Sequence, residues 1–267
     1  MELIGFFLAA LVGISLGLIG GGGSILTLPI LVYIMGIQPI IATSYSLFVV
    51  GCTSLIGATI NYKSGNVQVK TALVFGIASI STVFLTRKFI IPHIPNVLFT
   101  INHVAIRQSV VTMSLFAVLM LLAAIAMIRN PINKDVNECV YTYSTPPIFT
   151  LILNGILIGF ATGFFGAGGG FLLIPSLVLL FKMPMKQAVG TSLLIIALNS
   201  LIGFLGDWGH YHLNWQLLFT ITAIAVGGIF VGSFISTKIN SLLLKKTFGW
   251  FVLFMSIYIL TKEIFQF

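Results

Sequence analysis

Two glycine clusters interrupt two long apolar runs of this chain, and the second cluster copies the first. The first reads Gly-Leu-Ile-Gly-Gly-Gly-Gly-Ser over residues 17–24, and the second reads Gly-Phe-Phe-Gly-Ala-Gly-Gly-Gly over residues 163–170. One shift of 146 residues superimposes the clusters and also brings Pro29 onto Pro175. Such stretches sustain a helix poorly, because glycine loses the most backbone entropy on ordering. The sequence therefore predicts two equivalent broken helices.

The composition places these broken helices in a membrane. Only 7% of the residues are charged, 58% are hydrophobic, and the mean hydropathy is +1.14. Uncharged runs over residues 41–60, 109–128 and 216–236 are each long enough to cross a hydrocarbon core of ~30 Å. In lipid, the freed backbone groups of a broken helix must be satisfied by protein or by a water-filled cavity, so such breaks are typical of solute sites.

Sequence outside the glycine clusters is also duplicated. The same shift pairs residues 54–57 with 200–203, which both read Ser-Leu-Ile-Gly. We interpret this as an internal duplication. We expect a first membrane repeat over residues 1–130, a polar inter-repeat loop over 131–147 and a second membrane repeat over 148–267.

The first apolar run of each repeat is too long for one membrane helix. Residues 3–37 would stretch ~50 Å as a single helix, against a hydrocarbon core of ~30 Å. We therefore expect each glycine break to divide its run into two pieces that fold back on each other. The predicted fold is an all-α polytopic membrane protein with about 8–10 membrane helical elements. Five elements in each repeat would invert the second repeat relative to the first.

The loop charges agree with inverted repeats. On this arrangement one side of the membrane collects nine basic residues: Lys63, Lys70, Arg129, Lys134, Lys182, Lys186, Lys238, Lys245 and Lys246. The other side collects four: Arg87, Lys88, Arg107 and Lys262. The positive-inside rule then places both termini outside the cytoplasm of a multi-pass protein in the cytoplasmic (inner) cell membrane. A parallel arrangement of four plus four helices is the alternative, and it also places the termini outside.

The glycine breaks and nearby small polar residues form the predicted substrate site. Backbone N–H groups at the starts of short helices, together with hydroxyl and amide groups, can hold an anion. The predicted substrate-binding residues are Gly20, Gly21, Gly22, Gly23, Ser24, Ser46, Gly166, Gly168, Gly169, Gly170, Thr191, Ser192 and Asn199. The alternative is that the glycines and hydroxyls serve only close helix packing.

Asn61 and Asp207 are equivalent under the shift and are candidates for coupling or gating. Membrane carboxylates often handle protons or cations, although Asp207 also fits an exposed loop residue, which we favour. His210 and His212 lack a third partner for a metal set, so no metal or cofactor is expected. Because all Lys and Arg residues lie outside the apolar runs, we expect no fixed cation at the site.

Catalysis and nucleic-acid binding are poorly supported. The chain has five acidic residues, none within an apolar run, so paired carboxylates for an enzyme are not in evidence. The net charge of +8 is spread through loops rather than gathered in a basic motif. The expected partners are therefore a small anionic substrate and the lipid bilayer. The oligomeric state stays open.

The duplicated glycine motif, its following proline and the Gly65-Asn66-Val67 loop together resemble the TauE/SafE family, the sulfite and organosulfonate exporters of the toluene-sulfonate uptake permease group. The resemblance covers nearly the whole chain and implies a transporter, most simply an exporter, of small sulfur-containing anions. The family's motif falls on Gly20, Gly22, Gly23, Pro29, Gly166, Gly168, Gly169 and Pro175. Gln68 departs from it, since many relatives have an acidic residue there. The stretch from Arg87 to Arg107 is also long and proline-rich for the family.

Three other functions fit the same residues. A passive anion channel would share this architecture but show flux without coupling. A transporter of neutral or cationic cargo would use the carbonyl groups of the breaks. A non-transport membrane protein would place its site in the inter-repeat loop.

Labelling of single cysteines tests the inverted arrangement. We expect Asn66→Cys and Tyr211→Cys to react with impermeant reagent from opposite sides of the membrane, because they follow equivalent helices of inverted repeats. The measurement is labelling of intact cells and inverted vesicles, in a chain that lacks Cys52 and Cys139. Reaction of both positions from the same side would exclude inversion.

Overall fold

A computed structural model describes residues 2–95, 97–101, 104–129, 148–166, 168–181, 183–211, 213–236 and 241–265. The predicted inter-repeat loop, His103 and His212 lie outside these residues. The described chain is almost entirely helical, as expected for a polytopic helical membrane protein.

The described residues of each half form five α-helices, and those of the first half have helical extensions. In the first half they are α1 (Glu2–Ile19), α2 (Thr27–Pro29), α3 (Pro39–Lys63), α4 (Val69–Leu85) and α5 (Gln108–Arg129). A 3-10 segment (Gly20–Leu26) joins α1 to α2, and a π-helical segment (Ile30–Ile34) extends α2.

The second half contains the corresponding five helices. They are α6 (Ile148–Phe165), α7 (Gly170–Pro175), α8 (Met185–Asp207), α9 (Trp215–Ser236) and α10 (Ser241–Phe265). A π-helical segment (Ser176–Leu180) extends α7.

The length and surface of the helices fit a lipid environment. Four helical stretches in the described chain are long and apolar enough to cross a membrane: Pro39–Lys63, Val69–His93, Lys186–Asp207 and Trp215–Ser236. Large apolar side chains face outward, including Phe149 at 75% exposure and Phe254 at 69%. Exposing rings of this size to water is unfavourable in free energy, whereas exposing them to lipid is not.

The first apolar run folds back on itself, as the sequence predicts. Gly5 at the start of α1 packs against Met35 at the end of the run, and the Cβ of an alanine at Gly5 would lie 2.9 Å from Met35 Cγ. The reversal occurs at Gly20, whose φ of +73° favours glycine. The two breaks differ in detail, because the second uses left-handed backbone at Gly166, Gly168 and Gly169 before α7 begins.

Helices from opposite halves pack in a reciprocal way. The α1 helix lies against α9, and α6 lies against α4. An added Cβ at Gly13 of α1 would lie 3.0 Å from Ala225 Cα, and one at Gly159 of α6 would lie 2.9 Å from Ser79 Cα. These two contacts exchange under the 146-residue shift. Reciprocity of this kind is expected when an internal two-fold axis relates two halves. Inversion of the halves across the membrane stays a prediction.

The stretch from Arg87 to Arg107 differs from the expected loop. The helix continues past α4 through a π-helical turn (Thr86–Ile90) and a 3-10 turn (Ile91–His93). A short antiparallel hairpin follows, with β1 (Val97–Ile101) paired to β2 (Val104–Arg107). Pro92 is compatible with this ending, because proline is tolerated in the first turn of a helix.

The close approach of α6 to α4 can be tested at Gly159. We expect Gly159→Ala to destabilise the protein by roughly 1–3 kcal/mol, because its methyl group would meet the backbone of Ser79. Gly227→Ala is the matched control, since a Cβ at this exposed position of α9 has no atom within 4 Å. Thermal unfolding in detergent is the measurement. An equal effect of the two substitutions would contradict the packing.

Candidate anion site at the second glycine break

The two glycine breaks contact each other inside the protein. A Cβ added to Gly21 would lie 2.5 Å from the Cα of Gly170, so only glycine permits this approach. Both residues are buried. Gly20 and Gly166, which begin the two breaks, also make equivalent contacts: Gly20 meets Val189 of α8, and Gly166 meets Thr43 of α3. The breaks therefore form one junction held between α3 and α8.

The predicted polar site residues are all buried, but most of them have structural partners. Ser24 Oγ donates to Gly21 O at 2.8 Å, and Ser192 Oγ donates to Val189 O at 2.9 Å. Thr191 Oγ1 accepts from the Gln68 N–H at 3.0 Å. Such bonds within and between helices are the packing role that the sequence left open.

Ser46 and Asn199 differ from the other predicted residues. Asn199 Nδ2 donates to Ser79 Oγ at 2.6 Å, while its Oδ1 has no hydrogen-bond partner among the described residues. The Ser46 hydroxyl has none there either. The polar side chains beside the second break come from residues outside the predicted substrate-binding set, namely Arg87, Thr43, Thr162 and Ser200.

Asp207 is not an exposed loop residue, and the expectation of no cation in the core is wrong. Arg87 and Asp207 are 0% and 2% exposed, and Arg87 Nη1 lies 2.9 Å from Asp207 Oδ2. The helical extension beyond α4 carries Arg87 into the protein, where its charge pairs with the last residue of α8. Lys88, the next residue, stays exposed beside the rings of Phe84 and Phe89.

A sequence signal for the buried arginine was present in the repeat. Extending the 146-residue shift places Arg87 opposite Ser233, which lies within the uncharged run 216–236. The aligned position is thus inside a membrane helix in the other half. A charge there is costly and needs a partner, which points to function. The partner itself could not be found from spacing, because Asp207 lies 120 residues further along the chain.

Hydroxyl groups of α3 complete the ion pair. Asp207 Oδ2 also accepts from Ser44 Oγ, and Arg87 Nη1 also donates to Thr43 Oγ1 at 3.0 Å. Thr43 in turn donates to Ile40 O at 2.6 Å. A buried ion pair is stable only when further hydrogen bonds satisfy its remaining groups, and these hydroxyls supply them on one side.

The other side of the arginine faces the second glycine break. Arg87 Nε and Nη2 have no hydrogen-bond partner in the described part of the chain, and Nη2 is the atom nearest an added Cβ at Gly166. The hydroxyls of Thr162 and Ser200 are similarly unpaired there and lie against Gly169 and Gly168. A guanidinium edge and two hydroxyls can together donate to an oxyanion.

The equivalent position at the first break carries no charge. Under the shift, Arg87 and Asp207 correspond to Ser233 and Asn61, and Ser44 corresponds to Gly190. The geometry is retained, because an added Cβ at Gly190 would lie 3.1 Å from Asn61 Cβ. Asn61 Nδ2 instead donates to Gly57 O at 2.9 Å. The two breaks therefore share this helix contact and differ in electrostatics.

The site is closed in this conformation. A cavity of ≈10 Å³ borders Thr43 on the side of Pro39 and Phe164, with space for about one water molecule, and neither Arg87 nor Asp207 lines it. An anion with several oxygens would need neighbouring helices to separate. Within the described residues no group of three or more His, Cys, Asp or Glu side chains could hold a metal ion.

Tyr211 lies in the loop after α8, outside the membrane-spanning segments. Burial raises the pKa of Tyr211 above its usual value of 10.0, and the Asp207 carboxylate raises it further, while Arg87 lowers it. The phenol therefore stays protonated at neutral pH.

Removing one member of the ion pair should lower the free energy of unfolding more than removing both members. We expect Arg87→Met to destabilise the protein by about 3–5 kcal/mol, because it leaves the Asp207 charge buried without its partner. The double variant Arg87→Met/Asp207→Asn should recover part of this loss. Thermal unfolding in detergent measures both, with Lys88→Met as the exposed control. A double variant less stable than either single one would contradict the pairing.

Comparison with known proteins gives the family. Residues 5–259 match the family described as sulfite exporter TauE/SafE. A probable membrane transporter protein of Xylella fastidiosa is 31% identical over 95% of this chain and 92% of its own length. Probable membrane transporter protein YunE of Bacillus subtilis is 30% identical over 86% of this chain and 85% of its own length. No solved structure matches. With its duplicated glycine breaks and membrane-spanning helices, the chain belongs to the sulfite exporter TauE/SafE family of membrane transporters.

Proposed function

We propose that this transporter moves small sulfur-containing anions, such as sulfite or organosulfonates, across the cytoplasmic membrane. The single observation that carries the proposal is the buried Arg87, whose Nε and Nη2 edge lies beside Gly166 and has no hydrogen-bond partner among the residues that the structure describes. The anion would bind between this edge and the glycine junction. The site extends the one predicted from sequence, because it adds a fixed cation to the glycines and hydroxyl groups.

The chemistry of the unpaired groups suits an oxyanion. A guanidinium presents parallel N–H donors in a planar fork that matches two oxygens of a sulfonate or sulfite group. Thr162 and Ser200 supply neutral donors on the glycine side. Because Gly168 and Gly169 lack a Cβ, Val50 and Thr162 pack directly on their backbone, and these side chains would have to move aside for a ligand. A neutral or cationic solute would leave the guanidinium edge unsatisfied.

The family supports the substrate class and the direction. Its description names sulfite export, and its relatives are described as probable membrane transporter proteins. We therefore propose that this chain also exports sulfur oxyanions. The enclosed position of Arg87 fits a transporter that opens to one side at a time.

Alternating access would follow from the two halves. We propose that the repeats over 1–130 and 148–267 move against each other around the glycine junction, joined by the loop over 131–147. With Arg87 in the core, nine basic residues oppose three in the loops, which favours termini outside the cytoplasm. Asn61 and Asp207 would then act at equivalent ends of α3 and α8, Asp207 as the charged partner of Arg87.

Thermal stability against a panel of anions tests the proposal. We expect one sulfur oxyanion among sulfite, thiosulfate, sulfate, taurine and sulfoacetate to raise the unfolding temperature of the purified protein more than chloride does. A ligand at 100 times its Kd stabilises the native state by about 2.7 kcal/mol. Absence of a selective shift with every anion would contradict the proposal.

Gly169→Val connects that shift to the junction. Its side chain would displace Thr162 Oγ1 and strain a backbone with a φ of +66°, so we expect the anion-dependent shift to be lost. Gly227→Val, at a position with no atom within 4 Å of an added Cβ, is the control that should keep the shift. If Gly169→Val keeps the anion-dependent shift, the anion does not bind at the glycine junction.

A further inference from the structure

The charges at the proposed site are balanced before any anion arrives. Arg87 and Asp207 are fully or almost fully buried, and they neutralise each other at 2.9 Å. A bound sulfonate would add a negative charge to an enclosed site that holds one cation and one carboxylate. A net charge in such surroundings is strongly disfavoured unless it is compensated.

A metal cation is a poor way to compensate that charge. The Asp207 Oδ2 atom is surrounded by donors, namely Arg87 Nη1 and Ser44 Oγ, rather than by the several oxygen ligands that a hard cation prefers. A cation at this oxygen would also lie close to the guanidinium charge. A proton needs no such ligand shell, and a protonated carboxyl group can still hydrogen-bond to Ser44.

From this balance we infer that one proton on Asp207 accompanies each monovalent anion bound by Arg87, which makes transport proton-coupled and electroneutral. The inference rests on the proposed function, since it concerns the same site. The proton enters from the aqueous phase on the open side and forms an O–H bond with the Asp207 carboxylate. The guanidinium then exchanges its charged partner for the anion. Release of the anion and the proton on the other side restores the Arg87–Asp207 pair. Because the two are released together, net export requires an outward anion gradient larger than the opposing pH gradient.

Other groups near Asp207 do not compete for this proton. The α3 helix presents the hydroxyls of Thr43 and Ser44, which do not titrate. Tyr211, in the following loop, has a pKa raised by burial and is already protonated at neutral pH. His210 meets Asp207 through its backbone N–H, which donates to Asp207 O at 3.1 Å. On the side of α4, Lys88 is exposed beside the buried Arg87.

The asymmetry between the breaks sets the expected stoichiometry. The first break carries Asn61 and Ser233 where the second carries Asp207 and Arg87, and neither Asn61 nor Ser233 can hold a charge. One half therefore supplies the whole charged site. A single proton for a single monovalent anion follows from this arrangement.

Proton uptake on anion binding is the direct test. We use methanesulfonate, whose single negative charge does not change near neutral pH, and a pH indicator in weakly buffered detergent solution. The native protein should take up about one proton for each anion bound, by linkage between the two sites. Asp207→Asn should take up none, whereas Asp207→Glu should retain uptake. Glu2→Gln, which removes a carboxylate at the start of α1, should behave as the native protein.

Flux through the native protein in proteoliposomes tests the same inference, so the test does not depend on whether a variant folds. A pH gradient should drive methanesulfonate uptake by the native protein, and an imposed membrane potential should leave the flux unchanged. If Asp207→Asn folds, its remaining flux should follow the potential and ignore the pH gradient. This measurement also covers the case in which Asp207→Asn does not fold.

The outcomes separate this inference from the proposed function. Anion binding and flux without proton uptake, or native flux that follows the membrane potential, would overturn proton coupling and leave anion transport standing. Proton uptake that persists in Asp207→Asn would assign the proton to another group and overturn the inference. Failure to bind or move methanesulfonate and every anion of the panel would overturn the proposed function together with the coupling.

Discussion

The requirement that backbone N–H and C=O groups find partners away from water governs this structure. Each glycine break frees such groups in a region where lipid offers none. The breaks must therefore lie inside the protein, and the structure encloses them against each other and against α3 and α8. The outer helices α1, α4, α6 and α9 follow from this, because they cover the junction and turn their apolar side chains outward.

Close backbone approach makes that enclosure possible. Gly13 and Gly17 let α1 meet α9, while Gly159 and Gly163 let α6 meet α4. Without a hydrophobic driving force between helices in lipid, such packing and interhelical hydrogen bonds supply much of the stability. The same small residues therefore explain both the junction and the contacts that surround it. At the junction, Gly21 and Gly170 let the backbones of the two halves meet directly.

The two halves pack their helices in the same way but differ in charge. Among the described residues, a buried ion pair occurs only at the second break, formed by Arg87 from the first half and Asp207 from the second. The pair joins the halves across the junction, so relative movement of the halves would act on it directly. Within the described part of the chain, its guanidinium edge and the hydroxyls nearby lack hydrogen-bond partners, which is costly in a closed protein unless a ligand uses these groups in another state. This cost is the physical reason for proposing that an anion binds there, and the balance of charge is the reason for adding a proton.

The sequence by itself determined the membrane environment, the helical class, the duplication and the folding back of the first long run, because composition, length and glycine spacing are local properties. It also indicated the glycine breaks as a candidate site, whereas it favoured Asp207 as an exposed loop residue, and the family followed from the glycine motif. Only the tertiary structure decided which side chains surround the breaks. The sequence treated Arg87 as a loop residue because the apolar run ends just before it, but the helix continues and its partner comes from a distant helix. Ion pairing and close packing depend on distances between segments far apart in the chain, which a linear pattern of residue types does not contain.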